Sequence, residues 1–135
     1  MEFRNPSDLP QPIGYSHVVL PGPGEPIYVA GQTGHHLDGS LDDGIVAQFA
    51  AACRNVQAAL AAADSRPDEV VSMQIFVTDV EAYKEALAEI GEKYRAVFGR
   101  HYPAMALFEV SSLFDPRALV ELVVTAHRPA RVDVD

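Results

Sequence analysis

At 135 residues, 48% apolar and 21% charged, the chain has the makeup of one globular domain and lies far from disordered compositions. Nineteen acidic against ten basic side chains give a net charge of −9, which argues against a nucleic-acid partner, because phosphate affinity comes from clustered Lys and Arg. There is no apolar run of about 18 residues and no charged-then-apolar leader, and the lone Cys53 can form no internal disulfide, so no membrane contact and a reducing cytoplasm are expected.

Residues 1–14, with Pro6, Pro10, Pro12 and Gly14, suggest an irregular lead-in. A strand over 15–20, a loop over 21–26 and a strand over 27–30 predict a hairpin that ends at Gly31-Gln32-Thr33-Gly34. The polar loop that follows holds His35 and His36. Adjacent side chains in an extended chain point opposite ways, and no Cys or HxxxH spacing supports them, so solvated histidines are expected and no metal.

A helix is predicted over 45–63, with Asp42 or Asp43 as N-cap. Ile45, Phe49, Ala52, Val56, Leu60 and Ala63 form its apolar stripe, and Cys53 beside them fits a packed thiol better than a nucleophile. A strand over 69–78 sets Val71, Met73, Ile75 and Val77 against Ser72, Gln74, Phe76 and Thr78. Asp79 then caps a second helix over 80–98, whose stripe is Tyr83, Leu87, Ile90, Tyr94 and Val97, with Glu89 and Lys93 spaced to pair on the wet side.

Gly99 stops that helix and Pro103 opens a strand over 104–112. A short turn at 114–117 joins it to a strand over 118–125, almost continuously apolar as in a strand covered on both faces. One charge, Glu121, interrupts the run. It is either a sheet glutamate turned to solvent or a functional acid at a pocket floor, since an unpartnered buried carboxylate is costly. After Ala126 the tail is expected to be loosely held.

The order ββαβαββ demands crossovers and a partly parallel sheet with both helices on one face. The other face is left apolar and uncovered, which calls for a partner.

Four segments resemble the RidA family, also known as YjgF or L-PSP endoribonuclease-like. Pro103-Ala104-Met105-Ala106 matches its Pro-Ala-Arg-Ser strand, and Val120-Glu121-Leu122 its glutamate strand. Tyr15-Ser16 matches its early tyrosine, and Ala30-Gly31-Gln32 its Ser-Gly-Gln segment; Gln48 and Asn55 fit its helix pattern. Met105 stands where the family has arginine, and Ala30 where it has serine. The likeness spans about residues 13–127.

The resemblance implies a chorismate-mutase-like α+β fold and a homotrimer with a small-molecule ligand in each inter-subunit cleft; neither cofactor nor metal is expected. It implies hydrolysis of reactive imines or enamines to a carbonyl compound and ammonia, with Glu121 positioning water and Tyr15 capping the pocket. Main-chain groups at Gly31, beside Gln32, and at Leu107 would hold a carbonyl or water. Met105 cannot make the two-pronged carboxylate contact of an arginine, so altered specificity and weak activity on small 2-imino acids are expected. A non-enzymatic ligand-binding trimer is the alternative, and a ribonuclease fits the acidic charge poorly. Arg54, Arg100 and Arg117 are candidates for a substitute cation.

Overall fold

A computed structural model describes residues 1–131; residues 132–135, the end of the expected loose tail, lie outside the described residues. In chain order the elements are β1 (Glu2–Arg4), β2 (Val18–Leu20), β3 (Gly24–Thr33), α1 (Ile45–Ala62), β4 (Val70–Val77), α2 (Val80–Glu85), α3 (Leu87–Phe98), β5 (Ala104–Glu109) and β6 (Val120–Pro129). The architecture is α+β. A mixed sheet in the order β3-β6-β4-β5 carries one parallel pair, β4 with β5, and helices against one face.

The layer between sheet and helices is the core. Phe49, Cys53, Val56 and Leu60 of α1 recur at helical spacing and are buried with Ile90, Tyr94 and Phe98 of α3. Met73, Ile75 and Val77 of β4 and Val120, Leu122 and Val124 of β6 meet them from the sheet at a two-residue period. Each large side chain sequestered here contributes about 1.5–3 kcal/mol.

Several expectations change. The predicted lead-in contains β1, and β2 pairs with it (Phe3 opposite Val19) instead of forming a hairpin with β3. β3 begins at Gly24, inside the predicted loop, because it is an edge strand where the missing N–H of Pro26 breaks no ladder. A register shift between Val70 and Ser72 turns Val70 rather than Val71 into the core. β5 stops at Glu109 and does not pair with β6, because β4 lies between them. β6 runs on to Pro129, with His127 buried and its ring against the Pro23 carbonyl at 3.1 Å.

The helices also depart from the simplest reading. α1 starts from Gly44 without a side-chain cap, and Asp42 instead contacts His36 at 2.9 Å. The second helix is two, broken at Ala86, whose backbone (φ −98°, ψ 13°) leaves the helical region. Asp79 does cap α2, accepting from Ala82 N at 3.1 Å. The break leaves Leu87 56% exposed and shifts burial in α3 to Ile90, Tyr94 and Phe98. Glu89 and Lys93 share a surface depression but form no ion pair among the described residues.

The opposite sheet face has no helices on it. Phe76 and Phe108 stack there at 5.4 Å, and Tyr28 is 80% exposed. Among the described residues no helix is long and apolar enough to cross a membrane.

Candidate functional site

Alternation along β6 decides where Glu121 points. Val120, Leu122, Val124 and Ala126 are buried toward the helices, so Glu121, Val123 and Thr125 face the open side. Across the strand pair Glu121 lies opposite Thr33 of β3, and β3 is irregular between Val29 and Gln32. That irregularity brings Gly31 against the carboxylate: a Cβ at position 31 would stand 2.5 Å from Glu121 Oε1. Glycine is the residue that permits this approach.

Glu121 and Gly31 line a pocket of about 440 Å³ together with Thr33, His35, Phe114 and Asp115. Inside it runs a polar chain. Thr33 Oγ1 is 2.5 Å from His35 Nδ1, and His35 Nε2 is 2.8 Å from Asp115 Oδ2. Arg117 grips both oxygens of the same carboxylate, Nη2 to Oδ2 at 2.7 Å and Nε to Oδ1 at 3.1 Å.

The hydrogen bonds from Arg117, with a smaller one from His35, hold Asp115 well below the usual carboxylate range. An ionised carboxylate only accepts, so His35 Nε2 carries the proton of that contact. In the neutral ring Nδ1 is then the acceptor, and the Thr33 hydroxyl donates to it. The chain Asp115–His35–Thr33 can therefore take up a proton at the Thr33 oxygen, inside the Glu121 pocket, and return it once His35 carries it.

α1 fixes this chain from beneath. Asn55 Nδ2 donates to the carbonyls of Thr33 (2.8 Å) and His35 (2.9 Å). Gln48, only 3% exposed, donates to the carbonyls of Asp42 and Arg117 and accepts from Leu119 N at 2.8 Å. Both helix amides thus serve the loops that carry the pocket.

The other sequence-predicted residues lie elsewhere. Gln32 folds back on its own strand, donating to the Ala30 carbonyl at 3.1 Å. Met105 and Leu107 face the helix side of the sheet, packed against the core opposite Met73 and Ile75. Tyr15 sits near the start of β5, because its neighbour Ser16 bonds the carbonyls of Pro103 and Tyr102; its ring meets His17 edge-on at 5.3 Å. Within one chain, Glu121 and Gly31 come together, while Met105 and Leu107 occupy the opposite face two strands away.

Met105 forms part of a second pocket, about 390 Å³, between β5 and α3. Of the substitute cations considered, Arg117 is committed to Asp115 and Arg54 lines a separate surface depression. The arginine at the Met105 pocket is Arg95. Among the described residues no cluster of three metal-ligating side chains occurs. His35 is not the solvated loop histidine expected; its side chain is 30% exposed and bonded at both nitrogens.

Thr33, His35, Asp115 and Arg95 carry no pattern in the sequence that marks them. His35 and Asp115 are 80 residues apart. Arg95 is on the polar face of α3, where a charge is unremarkable.

Residues 7–128 match the family model described as Endoribonuclease L-PSP. The RutC family protein UK114 of Drosophila melanogaster is 33% identical over 98 residues, 71% of this chain and 67% of its own length. The conserved Rid-family protein YyfB from Yersinia pestis superposes with a TM-score of 0.81 at 28% identity, covering 94% of this chain and 98% of the other. RidA from an Antarctic Psychrobacter species gives 0.68 at 25% identity, over 95% and 100% of the two chains.

Proposed function

Because the chain belongs to the endoribonuclease L-PSP (RidA/YjgF) family, we propose that it is a hydrolase of a small imine, enamine or related substrate, working in a cleft between subunits. The observation that carries this reading is the Glu121 carboxylate resting on the bare Gly31 inside a pocket that also holds a proton-handling side-chain array. Hydrolysis of an imine needs a water aimed at carbon and a proton for the departing nitrogen. Glu121 orients the water, takes its proton as it adds to carbon and passes that proton to the nitrogen; Thr33, backed by His35 and Asp115, then takes up the proton of the resulting hydroxyl and returns it to the departing nitrogen. The product is a carbonyl compound and ammonia.

The Glu121 pocket and the Met105 pocket open on opposite faces of one sheet, so a cleft containing both is built from two copies. The open face, with Tyr28 and the Phe76–Phe108 stack, supplies apolar surface for that contact, and a homotrimer is the assembly proposed. Met105 sets the specificity. Without a guanidinium on β5, small 2-imino acids are poor substrates, by about one to two decades in turnover efficiency, since a lost charge-assisted contact costs about 1.5–3 kcal/mol.

The test is ammonia release from imines generated in situ, for this chain, for Glu121→Gln and for Met105→Arg. Glu121→Gln is expected to abolish release while leaving the oligomer intact, and Met105→Arg to raise activity on 2-aminoacrylate. If Met105→Arg assembles and no imine is turned over by any form, the second reading takes over: a binding trimer that kept the cleft without its chemistry. The replacement of the family's arginine by Met105 favours that alternative.

A further inference from the structure

The pocket between α3 and β5 has an unusual balance of surfaces. Phe49, Ile75, Ile90, Tyr94, Tyr102 and Met105 wall it with apolar atoms, and among the described residues no carboxylate borders it. The Tyr94 hydroxyl is already spent on the His101 carbonyl at 2.5 Å, so it leaves that wall hydrophobic. Among the described residues one formal charge reaches the pocket, the guanidinium of Arg95.

Two observations set Arg95 apart from a merely solvated arginine. In a chain with 19 acidic residues, Arg4, Arg66, Arg117 and Arg128 each sit against a carboxylate; Arg54, Arg95 and Arg100 have no such partner among the described residues, and of these three it is Arg95 that lines this pocket. Its guanidinium also lies back along the helix over Gly91, where a Cβ would stand 3.0 Å from Nη1. Gly91 is inside α3, a position where glycine costs helix stability. The missing side chain makes room for the guanidinium at the pocket, and Gly91 itself lines the same space.

We propose that this pocket binds a carboxylate bearing a bulky apolar body, an aryl or branched alkyl acid, with Arg95 as its anion anchor and Met105 as part of its apolar floor. A planar guanidinium with open donors matches a carboxylate in two-pronged fashion, and a pocket of about 390 Å³ admits a body of aryl size. Methionine adapts its shape to such a body. The inference deepens the proposed hydrolase reading by naming its substrate class: the acid group is held from α3 rather than from β5, so the imine carbon lies farther from the anchor than in a small 2-imino acid. Binding itself does not depend on that chemistry.

The experiment titrates the full chain, in its native assembly, with phenylacetate, phenylacetamide and acetate, followed by calorimetry and by amide NMR shifts. Phenylacetate is expected to bind at least tenfold tighter than the amide, which lacks the charge, and than acetate, which lacks the body. Shifts should centre on α3 and β5. Arg95→Gln should remove the advantage of the acid over the amide, and Arg95→Lys should recover part of it. Gly91→Ala should raise the thermal midpoint and weaken phenylacetate while leaving the amide unchanged. Glu121→Gln should leave binding untouched, which separates failure of this proposal from failure of the hydrolytic reading. Equal affinity for acid and amide, an unchanged preference in Arg95→Gln, no binding of phenylacetate, or shifts centred on Glu121 would each overturn the proposal.

Discussion

Gly31 and Glu121 occupy one another's space: the position of a Cβ on the glycine lies 2.5 Å from Oε1 of the glutamate. The carboxylate is the flexible member of the pair. Gly31→Ala should therefore leave the fold intact and push Glu121 aside, and a displacement of about 1 Å at a water-positioning group costs about a hundredfold in rate. Steady-state kinetics on an accepted imine, beside an unchanged thermal midpoint, checks it. A full-rate Gly31→Ala enzyme would remove the carboxylate from the mechanism.

Asn55 is half a scaffold and half a site residue, since it ties α1 to the carbonyls of Thr33 and His35. Asn55→Ala leaves both carbonyls without their donor. A loss of about 1–3 kcal/mol of stability is expected. Denaturant unfolding measures it, and amide exchange at residues 33–35 should quicken more than the global loss accounts for.

His35 links Thr33 to Asp115. His35→Gln can keep a contact but cannot shuttle a proton, so turnover should fall about a hundredfold with little change in KM. Thr33→Val should produce a similar loss. An unaltered kcat in both would confine the array to a structural role.

Burial pushes the Cys53 thiol up to about 12, against an ordinary value of 9.0, and Tyr94 is raised for the same reason. Between about pH 9 and 12 the folded chain keeps a proton that the unfolded chain has lost, so its stability must fall as pH climbs through that window. The urea midpoint at pH 10.5 should lie below that at pH 8. Cys53→Ala should flatten the dependence, and in the native protein Cys53 should react with an aromatic disulfide reagent only as fast as the core opens.

The legible parts of the sequence were those written in local period. The α1 stripe follows from spacing alone, and Asp79 announced its cap; β6 read as a strand covered on both faces, which left the direction of Glu121 open. What escaped was pairing across distance. β1 is three residues long, too short for any pattern to register, and its partner β2 was assigned to β3 instead. His35 and Asp115 meet only because β3 and the connection after β5 reach the same end of the sheet. Two adjacent histidines suggested a metal question when the answer was a carboxylate 80 residues on. Arg95 was hidden by its surroundings, for a polar face of a helix is where arginines ordinarily go; the telling neighbour was Gly91.

The division of the sheet into two faces has a genetic consequence. Met105 and Arg95 line the pocket on the helix side, and Glu121, Gly31 and His35 the pocket at the open side, so a cleft shared by neighbouring copies of the proposed trimer would draw one set from each. A chain damaged at Glu121 and a chain damaged at Arg95 would each be inert when assembled alone. Mixed in one ring, an Arg95-damaged chain offers a sound Glu121 side and its neighbour a sound Arg95 side, so some clefts are whole again. Two inactive alleles expressed together would then complement, and the same two lesions placed on a single chain beside unmutated copies would spoil two different clefts.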